Sequence, residues 1–164
     1  MGEHTFTIEE FGTVLCRIEA ILNSRPLTPA STDPAELDCL TPGHFLIGRP
    51  LLAVPEAEIP VKSAIAHRWK LINQCVQTFW RRWRNEYLQT LQMRSRWLKD
   101  APNLQVDDMV VIKDAQLPPL KWRMGRVVAV LPGADQVVRV VQLKTATGMV
   151  TRPVVKVVKL PTST

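Results

Sequence analysis

Six carboxylates near the start of this 164-residue chain are the groups best suited to metal-assisted chemistry: Glu9, Glu10, Glu19, Asp33, Glu36 and Asp38. Two-metal phosphoryl transfer needs such groups to converge on ions about 4 Å apart. Their spacing sets no pair of them opposite another. Glu10, three residues after Thr7, is accounted for as half of a capping box, in which each side chain satisfies the other's free backbone donor. Cys16, Cys39 and Cys75, with His4, His44 and His67, are widely scattered and contain no Cys-x-x-Cys pair. A zinc site takes about four ligands, usually in close pairs. Neither catalysis nor a bound metal is therefore expected of these residues, and no cofactor is assigned. The cysteines read as small hydrophobes on helices, in a reduced, intracellular setting with the nucleus included.

The cations carry a stronger signal. Residues 1–61 hold 3 Lys/Arg against 9 Asp/Glu, residues 62–99 hold 9 against Glu86 alone, and residues 100–164 hold 9 against 5. The chain is acidic at its start, sharply basic in the middle and basic at its end. In the middle, Arg68, Lys70, Arg81, Arg82, Arg84, Arg94 and Arg96 are the candidates for phosphate contacts, since Arg meets phosphate oxygens bidentately. Toward the end, Lys121, Arg123, Arg126, Arg139, Lys144, Arg152, Lys156 and Lys159 extend the positive surface, with Trp122 beside two of them as a candidate for contact with nucleic acid. No base-reading pattern stands out, so the expected partner is DNA bound with weak sequence selectivity and strong salt dependence.

These residues must be held by regular elements. A helix is predicted from about Ile8 to Leu22: Thr7 and Glu10 cap it, and Phe11, Val14, Leu15, Ile18, Ile21 and Leu22 recur at three- and four-residue steps. Asn23-Ser24-Arg25-Pro26 stops it. Thr41, Pro42 and Gly48 signal a second, short helix. From Ser63 to about Leu98 the chain has no Pro or Gly. There Ile65, Trp69, Ile72, Val76, Phe79, Trp83, Tyr87 and Leu91 form the apolar stripe of a long helix, up to about 50 Å at 1.5 Å per residue. Trp80 and Trp97 fall off that stripe or at its end and are assigned to packing. A membrane-surface or calmodulin-type role for a basic amphipathic helix is the weaker reading, and no run approaches the roughly 20 apolar residues of a membrane span.

After Asn103 the character turns to β. Fifteen valines between Val106 and Val158 divide into about five strands, near Met109–Lys113, Arg126–Leu131, Val137–Lys144, Met149–Thr151 and Val154–Leu160. Pro132-Gly133-Ala134-Asp135 and Thr147-Gly148 serve as hairpin turns. Val137-Val138 and Val140-Val141 face both ways, as in a small closed barrel with a covering helix. Five short strands in so few residues suit an SH3-like barrel.

Two strings near the start, Leu22-Asn23-Ser24-Arg25-Pro26-Leu27-Thr28-Pro29 and Leu40-Thr41-Pro42-Gly43-His44-Phe45-Leu46-Ile47-Gly48-Arg49-Pro50-Leu51, resemble the end of the integrase catalytic core of BEL/Pao-type retrotransposons. The stretch from Val106-Asp107-Asp108-Met109-Val110 through Pro118-Pro119-Leu120-Lys121-Trp122 to Gly125-Arg126-Val127 is similar to the C-terminal barrel of retroelement integrases. It also resembles the domain of unknown function that follows the core in Pao polyproteins. The resemblance implies that the three metal-holding acids lie upstream of the first helix, and that the full enzyme needs Mg or Mn. It further implies that this portion binds DNA and helps to hold subunits together, as a homo-oligomer or with the rest of the polyprotein.

The expected architecture is α+β: closing helices of an RNase H-like core (1–61), a long basic linker helix (62–99) and a five-stranded SH3-like barrel (104–160). The expected function is DNA binding and assembly, without strand-joining activity and without a membrane. Two alternatives stand beside it: a protein-interaction module that grips a chromatin or polyprotein partner, and a domesticated, free-standing product of a retroelement. On the integrase reading, Phe11, Val14, Ile18 and Ile21 would normally pack on the sheet of the core. The first 60 or so residues should then be loosely held while 104–160 folds alone.

Overall fold

The computed structural model describes residues 5–31, 33–52, 64–92 and 103–162, with the side chains of 64–66 outside that description. Helix α1 spans Ile8–Asn23 and opens on the predicted capping box. The Thr7 amide donates to Glu10 Oε2 at 2.8 Å, and Thr7 Oγ1 accepts from the Glu10 amide at 3.3 Å. Ser24 closes the helix, its backbone N–H and its hydroxyl both donating to the Ile21 carbonyl. A two-residue ribbon follows, β1 (Thr28–Pro29) against β2 (Cys39–Leu40). Helix α2 (Pro42–Ile47) starts at Pro42 and ends where Gly48 takes the left-handed φ of 73° that glycine adopts without a steric penalty. Gly43 sits where a Cβ would meet the Asn23 and Arg49 carbonyls at 3.3 Å, which brings α2 tightly against the end of α1.

Helix α3 (Ala64–Leu91) is the predicted long helix as far as it is described. Its expected continuation to Leu98, with Arg94, Arg96 and Trp97, lies outside the described residues. Five strands then form one antiparallel sheet: β3 (Met109–Ile112), β4 (Arg123–Pro132), β5 (Val138–Thr145), β6 (Gly148–Pro153) and β7 (Val157–Lys159). Their order is β6-β5-β4-β3-β7. The predicted last strand is interrupted: Val154–Lys156 form a 3-10 turn, and only Val157–Lys159 pair with β3. No pairing joins β6 to β7, so the sheet is curled but open, and the closed barrel expected from the valine pattern is not found.

Three apolar clusters hold these layers together. Inside the curl, Val110, Ile112, Val127, Val138, Val141, Leu143 and Val157 pack on one face of the sheet. On its other face, Met109, Val111 and Val158, with Leu160, meet Leu88 of α3. Every residue of β3 is therefore buried, because the curled sheet covers one side and the helix the other. The third cluster joins Val14 and Ile21 of α1 to Ile72, Val76 and Trp80 of α3.

This packing revises the expectation of an unpartnered first helix. The Val14–Ile18–Ile21 side of α1 lies on α3 of the same chain, while Phe11 remains exposed. It also revises the apolar stripe of α3. The most buried residues are Ile72, Val76, Trp80, Arg84 and Leu88, whereas Phe79, Trp83, Tyr87 and Leu91 are only partly covered. The helix has two partners, α1 along its first half and the sheet along its second.

Candidate nucleic-acid interface

The outward side of α3 is polar and basic. Lys70, Gln74, Gln77, Thr78, Arg81, Arg82 and Asn85 are all exposed, at the three- and four-residue steps that keep side chains on one side of a helix. Lys70 and Arg81 are separated by roughly 17 Å along the axis at 1.5 Å per residue. Arg81 donates from Nε to the Gln77 carbonyl at 3.4 Å, a contact that leaves its two terminal nitrogens without a partner among the described residues. Arg82 donates to Glu86 at 2.9 Å, and its side chain is 82% exposed. An ion pair so exposed contributes little to stability, which leaves Arg82 available to exchange Glu86 for another anion.

The structure withdraws other predicted residues from that surface. Arg84 is 5% exposed; its Nη1 donates to the Asp114 carbonyl at 2.7 Å and its guanidinium lies 5.4 Å from the Trp80 ring centroid. Burial pushes the Arg84 pKa down, and Asp114 opposes that shift. Arg84 ties the helix to the segment after β3 and is a structural cation, not part of the expected phosphate row. Arg68 is clamped to Glu10 across the α1–α3 seam, donating from Nε at 2.7 Å and from Nη2 to the same carboxylate, and also to the Thr5 carbonyl at 2.9 Å. The Arg68 hydrogen bond is the largest cause holding the Glu10 carboxyl down to about 2. Glu10 thus has two duties, and the capping motif signalled only one.

Trp122 is also a packing residue. Its ring stands edge-on to Trp80 at 4.9 Å, to Trp83 at 6.1 Å and to Tyr87 at 5.9 Å, and its indole N–H donates to Ser24 Oγ at 3.3 Å. Trp80 is buried as the sequence reading assigned it, with its indole N–H on the Leu117 carbonyl at 3.0 Å.

On the sheet, Arg123 pairs with Asp114 at 3.2 Å, Arg139 with Asp135 at 2.6 Å, and Lys159 with Asp108 at 2.6 Å. Arg126 is buried under the loop that precedes β2. Lys121, Lys144 and Lys156 are exposed, and none of them makes an ion pair among the described residues. Of the predicted cations, Lys70, Arg81 and Arg82 on α3 and Lys121, Arg139, Lys144, Lys156 and Lys159 around the sheet therefore face solvent, with Arg82, Arg139 and Lys159 in ion pairs, while Arg152 is half-buried. Arg94 and Arg96 lie outside the described residues.

Among the described residues, no group of three or more His, Cys, Asp or Glu side chains comes together as a metal site. The described carboxylates therefore offer no site for the divalent ions that the integrase resemblance implies for the whole enzyme. Among the described residues, no helix is long and apolar enough to cross a membrane.

Residues 67–160 match a family model described as Family of unknown function (DUF5641). No curated protein and no solved structure matches the chain. The family match begins within α3 and ends just after β7, so it treats the basic helix and the sheet as one unit.

Proposed function

Because the chain belongs to the DUF5641 family, a match over more than half of its length, and that family has no assigned function, we propose one. The chain is the DNA-binding and assembly portion of a BEL/Pao-type retrotransposon integrase, with strand joining left to acidic residues elsewhere in the enzyme. The observation that carries this reading is the outward side of α3, where Lys70, Arg81 and Arg82 are exposed among neutral polar residues and Glu86 is the one acid in the helix sequence.

The physical logic is that of a docked rod. The inner side of α3 is fixed on α1 and on the sheet through Ile72, Val76, Trp80 and Leu88. Its outer cations can thus meet phosphate oxygens without first ordering the backbone, a cost that flexible arms pay on binding. Phosphate contacts of this kind position a protein on a duplex without reading sequence. The SH3-like reading of the sheet belongs to the same proposal. Five antiparallel strands in the order β6-β5-β4-β3-β7, with a 3-10 turn before the last, support that topology even though the curl is open.

The test is binding of the full chain to a labelled duplex over a salt series from about 50 to about 300 mM, beside the triple variant Lys70→Glu, Arg81→Glu, Arg82→Glu. Log affinity should fall linearly with log salt, and the variant should lose roughly two to three units of that slope. Equal slopes for the two proteins would remove α3 from the interface.

A second reading, a protein-interaction module, is favoured by one observation: Phe45, Leu46 and Ile47 of α2 are consecutive and all at least half exposed. Large exposed apolar groups side by side mark contact surfaces more often than solvated ones. This reading would gain if the chain bound no duplex at low salt.

A further inference from the structure

Among the described residues, Arg126, like Arg84, is a cation buried without an ion pair. Arg126 is 5% exposed, and none of the described ion pairs involves it. Its Nη1 donates to the Asp107 carbonyl at 3.1 Å and its Nη2 to the Glu36 carbonyl at 3.0 Å. Its Nε–H has no acceptor among the described residues. Burying a charge against neutral groups alone is costly, and the cost persists only where the fold or a function requires the group.

Beside Arg126 lies an open groove of about 480 Å³, between the loop at Asp33 and the face of β4–β5. That volume is within the range of sites that hold small ligands or peptide segments. Lys144 lines the groove and stands opposite Arg126 in the β4–β5 register. Val106 and Val128, both exposed, supply apolar wall, and the strand register slips at Val128, between Val127 and Ala129. Such bulges re-aim side chains and are frequent next to binding sites. Asp33 and Asp107 complete the polar lining. Asp33 Oδ1 accepts from the Ala35 amide at 2.7 Å, and Asp107 holds a φ of 72° at the turn into β3.

We propose that this groove binds a short extended peptide carrying one acidic side chain between aliphatic ones, its carboxylate held by the exposed Lys144 over the buried charge of Arg126 and its aliphatic neighbours lying on Val106 and Val128. The lining favours a peptide over a nucleic acid. A single carboxylate can meet the two cations, whereas a run of phosphates would also face Asp33 and Asp107, with Glu36 and Asp38 on the same loop. The site uses none of the α3 cations and shares only Lys144 with the exposed set around the sheet, so the α3 charge-reversal variant tests the DNA reading without altering this groove.

The test is an NMR titration of the ¹⁵N-labelled full chain with acetyl-Val-Glu-Val-amide, beside acetyl-Val-Gln-Val-amide, inorganic phosphate and a short duplex DNA. The glutamate peptide should shift the amides of Val106, Asp107, Val128 and Lys144 together with the Arg126 Nε–H. It should bind about tenfold more tightly than the glutamine peptide, the difference expected for a hydrogen bond to a charged group. Lys144→Ala removes an exposed side chain, so the variant should keep its spectrum elsewhere and weaken the glutamate peptide by a similar factor. Equal response to the two peptides, or none to either, overturns the proposal. Phosphate or duplex moving the same amides while the glutamate peptide does not would overturn it in favour of a phosphate site.

Discussion

Single side chains here act at a distance from the motif that announces them. Glu10 caps α1 through Thr7 and also receives Arg68 from α3. Its carboxyl is held at about 2, below the usual carboxylate range, chiefly by Arg68. The sign follows from that depression: the contact stabilises the fold fully above the unfolded-state value near 4.5, and its contribution is lost as pH falls from there toward 2. The protection of the Thr7 and Glu10 amides relative to an unstructured chain, followed from pH 5 to 2, should fall over that window in the wild type. Glu10→Gln, which keeps a capping amide but cannot titrate, should show no such fall. If both proteins lose protection along the same curve, the Glu10–Arg68 contact is not what acid breaks. The capping half of this arrangement was legible three residues apart in the sequence. The Arg68 half, 58 residues away, was not, because nothing local marks an arginine as paired.

At the scale of elements, the sequence located the helices and strands well and their buried sides less well. Thr7 and Glu10, Pro42 and Gly48 mark the helix ends by local chemistry, and the valine runs fall on β3 to β7 with only the last one broken by a 3-10 turn. The side that α3 buries depends on what packs against it. A stripe read from Ile65 through Leu91 assumes one partner, but α1 and the sheet approach from different directions, so the run Val76–Trp80–Arg84–Leu88 is covered most deeply. Arg84 was read as a surface cation for the same reason, and Arg126 because the loop that buries it is 90 residues away in sequence. Leu88 tests the seam between helix and sheet. Leu88→Ala should cost about 2–5 kcal/mol, the range for a large-to-small change in a packed core. The measurement is the urea midpoint, with the slope unchanged. A loss under about 1 kcal/mol would mean that α3 rests on the sheet without depending on it.

For the whole molecule, the shared clusters argue against three independent parts. Val14 and Ile21 reach α3, α3 reaches β3 and β7 through Leu88, and Trp122 touches α3 and hydrogen-bonds Ser24 at the end of α1. Residues 5–31 are therefore not expected to come loose before the sheet unfolds. Urea unfolding followed by far-ultraviolet circular dichroism, which reads mainly the helices, and by tryptophan fluorescence, which reads the seam, should give coincident curves. Two separated transitions would instead restore the picture of a loosely held first segment beside a self-sufficient sheet.

The aromatic seam has an optical consequence. Phe79, Trp83 and Tyr87 stack along α3 with each ring plane within 9° of the next, while Trp122 meets Trp83, Tyr87 and Trp80 nearly at right angles. Indoles held 4.9–6.3 Å apart at fixed angles share their excited states. Trp80 and Trp83 couple within α3 itself, so the share of the paired circular-dichroism bands that reads the seam is the share that Trp122, which precedes β4, adds when it is seated against the helix. Light absorbed at this one seam thus reports whether helix and sheet are joined, without any added label.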